Sequence, residues 1–185
     1  NFLIKNNKYY NFVLADKDKE TLIKHGVNNK FIFKLKNGIN SNKFKFYKIP
    51  TFYNMSIYLG KIDERKKQYK YQNIKNIDFV GPYTGSTFNK NNENYIGEWD
   101  RHNVHIKLGM YANLILLSEG EADPLVVKEA LMCGLGVVVN ESSGQNLDKE
   151  KEFISVIPDD KLNDLDYIER ILKENKEVSL SIICQ

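Results

Sequence analysis

Cysteine is scarce in this chain, two in 185 residues, and so are proline (four), histidine (three) and tryptophan (one). Cys133 and Cys184 have no metal-like spacing, and two thiols cannot staple a disulfide scaffold. Cys133 falls within an apolar helical pattern and reads as a buried reduced thiol, which points to a cytoplasmic protein. No apolar run approaches the roughly 20 residues of a membrane helix, and no charged-then-apolar leader opens the sequence. An excess of one charge sign is lacking too. Lys and Arg number 27 against 24 Asp and Glu, a net charge of +3 with the basic residues scattered, which argues against nucleic acid and for a small anionic ligand. Internal repeats and low-complexity tracts are absent.

What remains is the composition of an ordinary globular chain, 42% hydrophobic and 28% charged, long enough for one well-packed domain and a short appendage. It opens Asn1-Phe2-Leu3-Ile4, without methionine, and reads as a piece of something longer.

Strand and helix patterns alternate along it. Phe12 to Ala15 reads as a strand, Asp16 to His25 as a helix ended by Gly26, and Phe31 to Leu35 as a half-buried strand before a sharp Asn37-Gly38 turn. Residues 40–54 form a polar connector. Met55 to Leu59, Ile77 to Val80, Tyr95 to Gly97, Leu114 to Leu117, Val137 to Val139 and Phe153 to Ile157 read as strands. A short charged helix or loop spans Asp63 to Tyr71. Helices are expected over Asp100 to Tyr111, capped by Asp100, over Pro124 to Cys133, stopped by Gly134, and over Asp159 to Lys173, whose Leu162, Leu165, Ile168 and Leu172 share a face. Strands apolar on both faces between helices mean a parallel sheet covered on both sides, a doubly wound Rossmann-like α/β fold.

Such a sheet binds its ligand at the carboxyl ends of the strands, where strand order reverses. The loop after Leu117 is the richest there. Glu121 precedes a helix, Glu129 lies eight positions on, and the first-turn amides of Leu125 and Val126 between them have no partner within the helix. Those amides and the helix dipole make an anion site. Glu121 suits sugar hydroxyls, the amides a diphosphate and Glu129 a ribose diol. Taken singly, Glu129 also fits a solvated helix position, and an acid ahead of a helix also serves as a cap. After Leu59, Gly60 allows a sharp turn, and Lys61 and Lys67 carry positive charge to the same edge; a solvated basic run is the other reading.

The string Ser118…Glu121-Ala122-Asp123-Pro124-Leu125-Val126-Val127-Lys128-Glu129-Ala130-Leu131-Met132-Cys133-Gly134 resembles the E-x7-E signature, SxxEGFGLxxLEAMACG, of the carboxyl-terminal domain of retaining GT-B glycosyltransferases of the group 1 type. Ala112-Asn113-Leu114 is similar to the lead-in AD(V/L), Asn37-Gly38-Ile39-Asn40 with Phe44 to the hinge passage, and Gly60-Lys61 with Lys67 to the phosphate pair. The resemblance runs in order from about residue 12 to residue 150. It implies that residues 1–45 are the remnant of an amino-terminal domain with the hinge, and residues 46–185 the nucleotide-sugar-binding domain. It implies Glu121 on the transferred sugar as the catalytic carboxylate, and Glu129 on the ribose. Gly60, Lys61, Lys67, Asp123 and the Leu125 and Val126 amides would surround the diphosphate, with Trp99, in Gly97-Glu98-Trp99, a wall of the base pocket; a packed aromatic is the other reading of Trp99.

The resemblance also implies a nucleoside-diphosphate sugar as substrate, no metal and no separate cofactor. A glycan, lipid or protein acceptor would bind through an amino-terminal domain of which this chain holds at most residues 1 to 15. His25, His102 and His105 do not match that domain's histidine. The fragment is therefore expected to be inactive alone, and the full protein cytoplasmic or peripheral to a membrane. Two departures stand out: Ala122 and Pro124 replace glycines, and Asp123 an aromatic. They keep open a non-catalytic nucleotide- or sugar-binding module; a GT-B nucleotide-sugar epimerase is a third reading.

Overall fold

The computed structural model describes residues 9–85 and 87–183. Cys184 lies outside them. The chain divides into two compact units, residues 1–38 and 39–185.

In the first unit, β1 (Asn11–Val13) and β2 (Ile32–Lys34) pair in parallel, joined through α1 (Asp16–Lys24). Val13, Val27 and Ile32 are buried, with Leu22 packed against them. Asp16 and Asp18 sit in the positive first turn of α1, and Gly26, left-handed at φ 87°, lets the chain leave the helix. The Asn37-Gly38 turn does not form. Residues 35–40 carry no turn and Gly38 is not left-handed; the Asn40 side chain instead caps a 3₁₀ turn, accepting from the Asn42 amide.

The second unit is built on five parallel strands, β3 (Phe52–Leu59), β4 (Ile77–Val80), β5 (Tyr111–Leu116), β6 (Gly136–Asn140) and β7 (Ile154–Ile157), in the order β4-β3-β5-β6-β7. α2 (Gln68–Tyr71), α3 (Arg101–Lys107), α4 (Leu125–Met132) and α5 (Leu165–Ile183) connect and cover them. β5 and β6 are buried throughout, their apolar runs Leu114 to Leu116 and Val137 to Val139 together with the polar Asn113 and Asn140. The architecture is the doubly wound α/β fold, and strand order reverses between β3 and β5.

Three expectations are corrected. Tyr95 to Gly97 forms only an isolated bridge from Tyr95 to Phe79. The helix expected from Asp159 splits into a 3₁₀ turn, Asp159–Lys161, and α5, because the Asp164 carboxylate accepts the Tyr167 amide at 3.1 Å and starts the helix there. α5 also runs ten residues past Lys173, to Ile183. Its continuation buries polar groups instead of apolar ones. Asn175 Nδ2 is shared among Val137 O, Phe153 O and Ser155 Oγ, its Oδ1 accepts from Asn113, and Ser179 Oγ donates to Ala112 O. These bonds fasten α5 to the starts of β5, β6 and β7.

Asn175→Ala deletes all of Asn175's side-chain bonds in a dry site, and the expected loss is about 2–4 kcal/mol in urea unfolding, against well under 1 kcal/mol for a solvent-facing asparagine.

Candidate active site at the β3/β5 switch point

The loops leaving β3 and β5 meet over the carboxyl edge of the sheet. The first begins where Gly60 donates to Val80 O at 2.9 Å. The expected need for glycine falls on Gly81 instead: a Cβ there would collide with the Gly60 carbonyl, whereas Gly60 is not left-handed and has room for a side chain. Asp63 accepts from the Lys66 amide at 2.9 Å, Gln68 reaches back to Lys61 O, and Lys67 takes the left-handed conformation at φ 59° before α2. The kink sends neighbouring ammonium groups to different acids. Lys66 Nζ lies 2.6 Å from Glu121 and Lys67 Nζ 3.1 Å from Glu119.

Glu121 is the hub. Its Oε1 accepts from Lys66 at 2.6 Å, Arg65 at 2.9 Å and Ser118 Oγ at 2.9 Å. The Glu121 and Lys66 side chains are each only 12% exposed. Burial pushes the carboxyl's pKa up, but the Lys66 hydrogen bond and charge, helped by Ser118 and Arg65, outweigh it and hold the group below its ordinary 4.5. The Arg65 carbonyl also accepts the Glu119 amide, and its guanidinium donates to Glu119 O. Beneath them, buried Tyr58 on β3 donates its hydroxyl to Lys66 O and accepts from the Leu117 amide, one phenol bracing both loops. Burial raises the Tyr58 pKa well above its usual value, so the brace stays neutral.

A third segment backs the site. Asn140 and Ser142 donate to Ser118 O, Gln145 to Glu121 O and Asn146 to Ala122 O, so residues 140–146 hold the carbonyls of the loop that carries Glu121. α4 starts beside that loop. Pro124 at its N-cap has no side-chain cap of its own, and the first turn of the helix begins at Leu125 and Val126, the end of a helix that favours an anion. Asp123 is nearly inaccessible, with Lys128 at 2.6 Å.

Glu129, 4% exposed on its side chain, receives the Arg101 guanidinium at 2.5 Å; Arg101 is 60% exposed and lies 5.6 Å from the Phe44 ring. Two residues before Arg101, Trp99 packs on Tyr111 with centroids 6.2 Å apart, and the Lys107 ammonium stands 5.6 Å from its ring. Glu129 and Trp99 are thus linked through the start of α3. Lys61 turns to Asp63 at 3.8 Å rather than to Glu121.

The structure therefore joins Glu121 to Lys66, Arg65 and Ser118, a group that sequence reasoning did not assemble. Three consecutive cations at 65–67 look alike in sequence, and only the left-handed kink sorts them. Arg101 and the 140–146 backing carry no local signal. Cys133 is a buried free thiol, its pKa pushed to about 12 by burial first and by Glu129 second. Among the described residues no three His, Cys, Asp or Glu side chains gather as metal ligands.

A carboxyl held below its ordinary pKa stabilises the fold fully above 4.5, and that contribution is lost as pH falls through the lowered folded-state value. Urea midpoints followed into acid should fall less steeply below pH 4.5 for Glu121→Gln than for the parent chain. Lys66→Met should raise the Glu121 carboxyl pKa, read by carbon-detected NMR; an unchanged value contradicts the pairing.

No protein-family model matches the sequence, and no curated protein sequence matches it. Solved structures do match. HepE from Anabaena, in complex with UDP-glucose, aligns over 99% of this chain and 59% of its own at a TM-score of 0.73 and 12% identity. WaaG, a glycosyltransferase of lipopolysaccharide biosynthesis, aligns over 94% of this chain and 56% of its own at 0.69 and 16%. Sucrose-phosphate synthase from Thermosynechococcus elongatus aligns over 94% and 54% at 0.66 and 16%. The chain spans little more than half the length of these structures, and what it shares with them is the fold of the carboxyl-terminal half of GT-B glycosyltransferases.

Proposed function

We propose that this chain is the donor-binding half of a glycosyltransferase that moves a sugar from a nucleoside diphosphate to an acceptor with retention of configuration. The observation that carries the reading is the Glu121–Lys66–Arg65–Ser118 group at the switch point, beside the start of α4. That HepE is solved with UDP-glucose supports it.

In this reading Glu121 faces the transferred sugar. The Leu125 and Val126 amides and Lys66, with Lys61 and Lys67 on the same loop as Gly60, meet the diphosphate, and Asp123 fixes the helix start through Lys128. Glu129 takes the ribose diol as Arg101 yields, and Trp99 borders the base. Departure of the diphosphate builds negative charge, and ammonium groups with oriented amides stabilise it without reorganising. Two charge-assisted contacts and one helix terminus are worth roughly 3–8 kcal/mol before ordering costs, a dissociation constant in the millimolar to micromolar range. The acceptor and the rest of the catalytic apparatus belong to an amino-terminal domain, so turnover by this chain alone is negligible. No helix among the described residues is long and apolar enough to cross a membrane.

A second reading, a binding module without catalysis, is favoured by two observations: Glu121 already accepts from two cations and a hydroxyl, and Asp123 is buried against Lys128. Titration with UDP, GDP, ADP and UDP-glucose, followed by amide shifts and Trp99 fluorescence, separates the two. Glu129→Ala should weaken UDP about tenfold, one charge-assisted bond. Glu121→Ala should spare UDP and weaken UDP-glucose, as the transferase reading requires. Equal loss of both ligands favours the module, and no response to any nucleotide by the folded chain removes both readings.

A further inference from the structure

Cations are scattered along the chain, but acids are not. All 24 Asp and Glu lie outside residues 21–62, a stretch that holds eight lysines and no arginine. In the second unit this stretch includes Lys43-Phe44-Lys45-Phe46-Tyr47-Lys48-Ile49, where basic and apolar residues interleave. Lys43, Lys45 and Lys48 are exposed. Among the described residues none of the three pairs with a carboxylate, whereas Lys66, Lys67 and Lys128 each do. Ile49 is 77% exposed and Phe46 53%.

The backbone of this segment is held. The Lys45 amide donates to His105 O at 3.0 Å, and the Phe44 ring meets His105 edge-on with centroids 4.8 Å apart. Two glycines make room for it: a Cβ on Gly109 would strike the Lys45 carbonyl, and one on Gly134, after α4, would strike the Phe46 ring. Beside Phe46 lies an apolar cavity of about 500 Å³ that Gly134 and Ile183 line, with Leu131, Leu135, Leu147, Phe153, Ile154 and Ile182. The polar side chains of that cavity are engaged. Lys128 meets Asp123 at 2.6 Å and Lys151 meets Asp148 at 3.6 Å, while Asn146 donates to Ala122 O and Ser179 to Ala112 O. Met132 and Ile182, close in sequence to Gly134 and Ile183, are exposed as well.

We infer that the Lys43–Ile49 segment, with the apolar cavity beside it, docks on an anionic lipid surface. The three lysines meet headgroup phosphates, Phe46 and Ile49 enter the acyl boundary, and the cavity walls suit hydrocarbon. Charge alone or one apolar anchor alone holds a protein to a bilayer only marginally; the two together hold it firmly, and this segment carries both. A single-stranded nucleic acid would use the lysines, but it has nothing to place against Ile49 or the cavity, and the stretch offers no guanidinium to stack on bases. The inference does not depend on the nucleotide reading, because none of these residues belongs to the carboxyl-edge site.

The test is co-sedimentation of the whole chain with vesicles of equal parts phosphatidylglycerol and phosphatidylcholine, and with vesicles of phosphatidylcholine alone. Binding should be at least about tenfold tighter to the anionic vesicles and should weaken as salt is raised. Lys43→Gln, Lys45→Gln and Lys48→Gln together should weaken it about a hundredfold, at roughly fivefold per lysine. Ile49→Ser, at a solvent-facing position where folding should be unaffected, should weaken it about tenfold and leave the salt dependence as it was. UDP titrations of both variants should match the parent chain, so this inference and the nucleotide reading fail separately. Equal binding to neutral vesicles, or anionic binding untouched by the three lysine substitutions, overturns the inference. So does binding of a single-stranded oligonucleotide by a chain that no vesicle pellets.

Discussion

One carboxylate joins the two loops on which the site depends. Glu121 leaves β5, Lys66 and Arg65 leave β3, and these strands are neighbours only because strand order reverses between them. Where strands continue in order, successive loops pass to the same side and the edge closes over; at a reversal they part and leave a crevice. The ion pair spans that crevice at its floor, with the Tyr58 hydroxyl beneath it touching both loops. With both side chains 12% exposed, screening is weak and the pair's geometry is held.

The proposed anion site draws on the same arrangement. Positive charge arrives from the β3 loop and the positive end of a helix from α4, while Asn140, Ser142, Gln145 and Asn146 occupy carbonyls of the Glu121 loop. The amino edge is organised differently. There Asn175, Lys176 and Ser179, the buried polar residues of α5, hold strand starts together.

Much of the fold was legible in sequence because its signals are local. Continuous apolar runs such as Val137 to Val139 admit little besides a buried strand, and Gly134 after Cys133 marks the end of α4 with a left-handed φ of 86°. The full length of α5 was hidden because Asn175, Lys176 and Ser179 look like solvent-facing residues until their strand partners are known. At the candidate site, spacing alone put Glu121 ahead of α4 and Glu129 on it, where the structure has them. Their partners were not legible. Lys66 differs from Lys67 only by a kink no composition reveals, and Arg101 meets Glu129 across 28 positions of chain.

In the proposed function the crevice floored by Glu121 and Lys66 receives the diphosphate of a nucleotide. A crystal of the chain soaked with UDP tests it most directly. The diphosphate is expected within hydrogen-bond reach of the Leu125 and Val126 amides and of Lys66, with the ribose displacing Arg101 from Glu129. Density for UDP elsewhere on the molecule, with Arg101 still on Glu129 and the start of α4 unvisited, contradicts it.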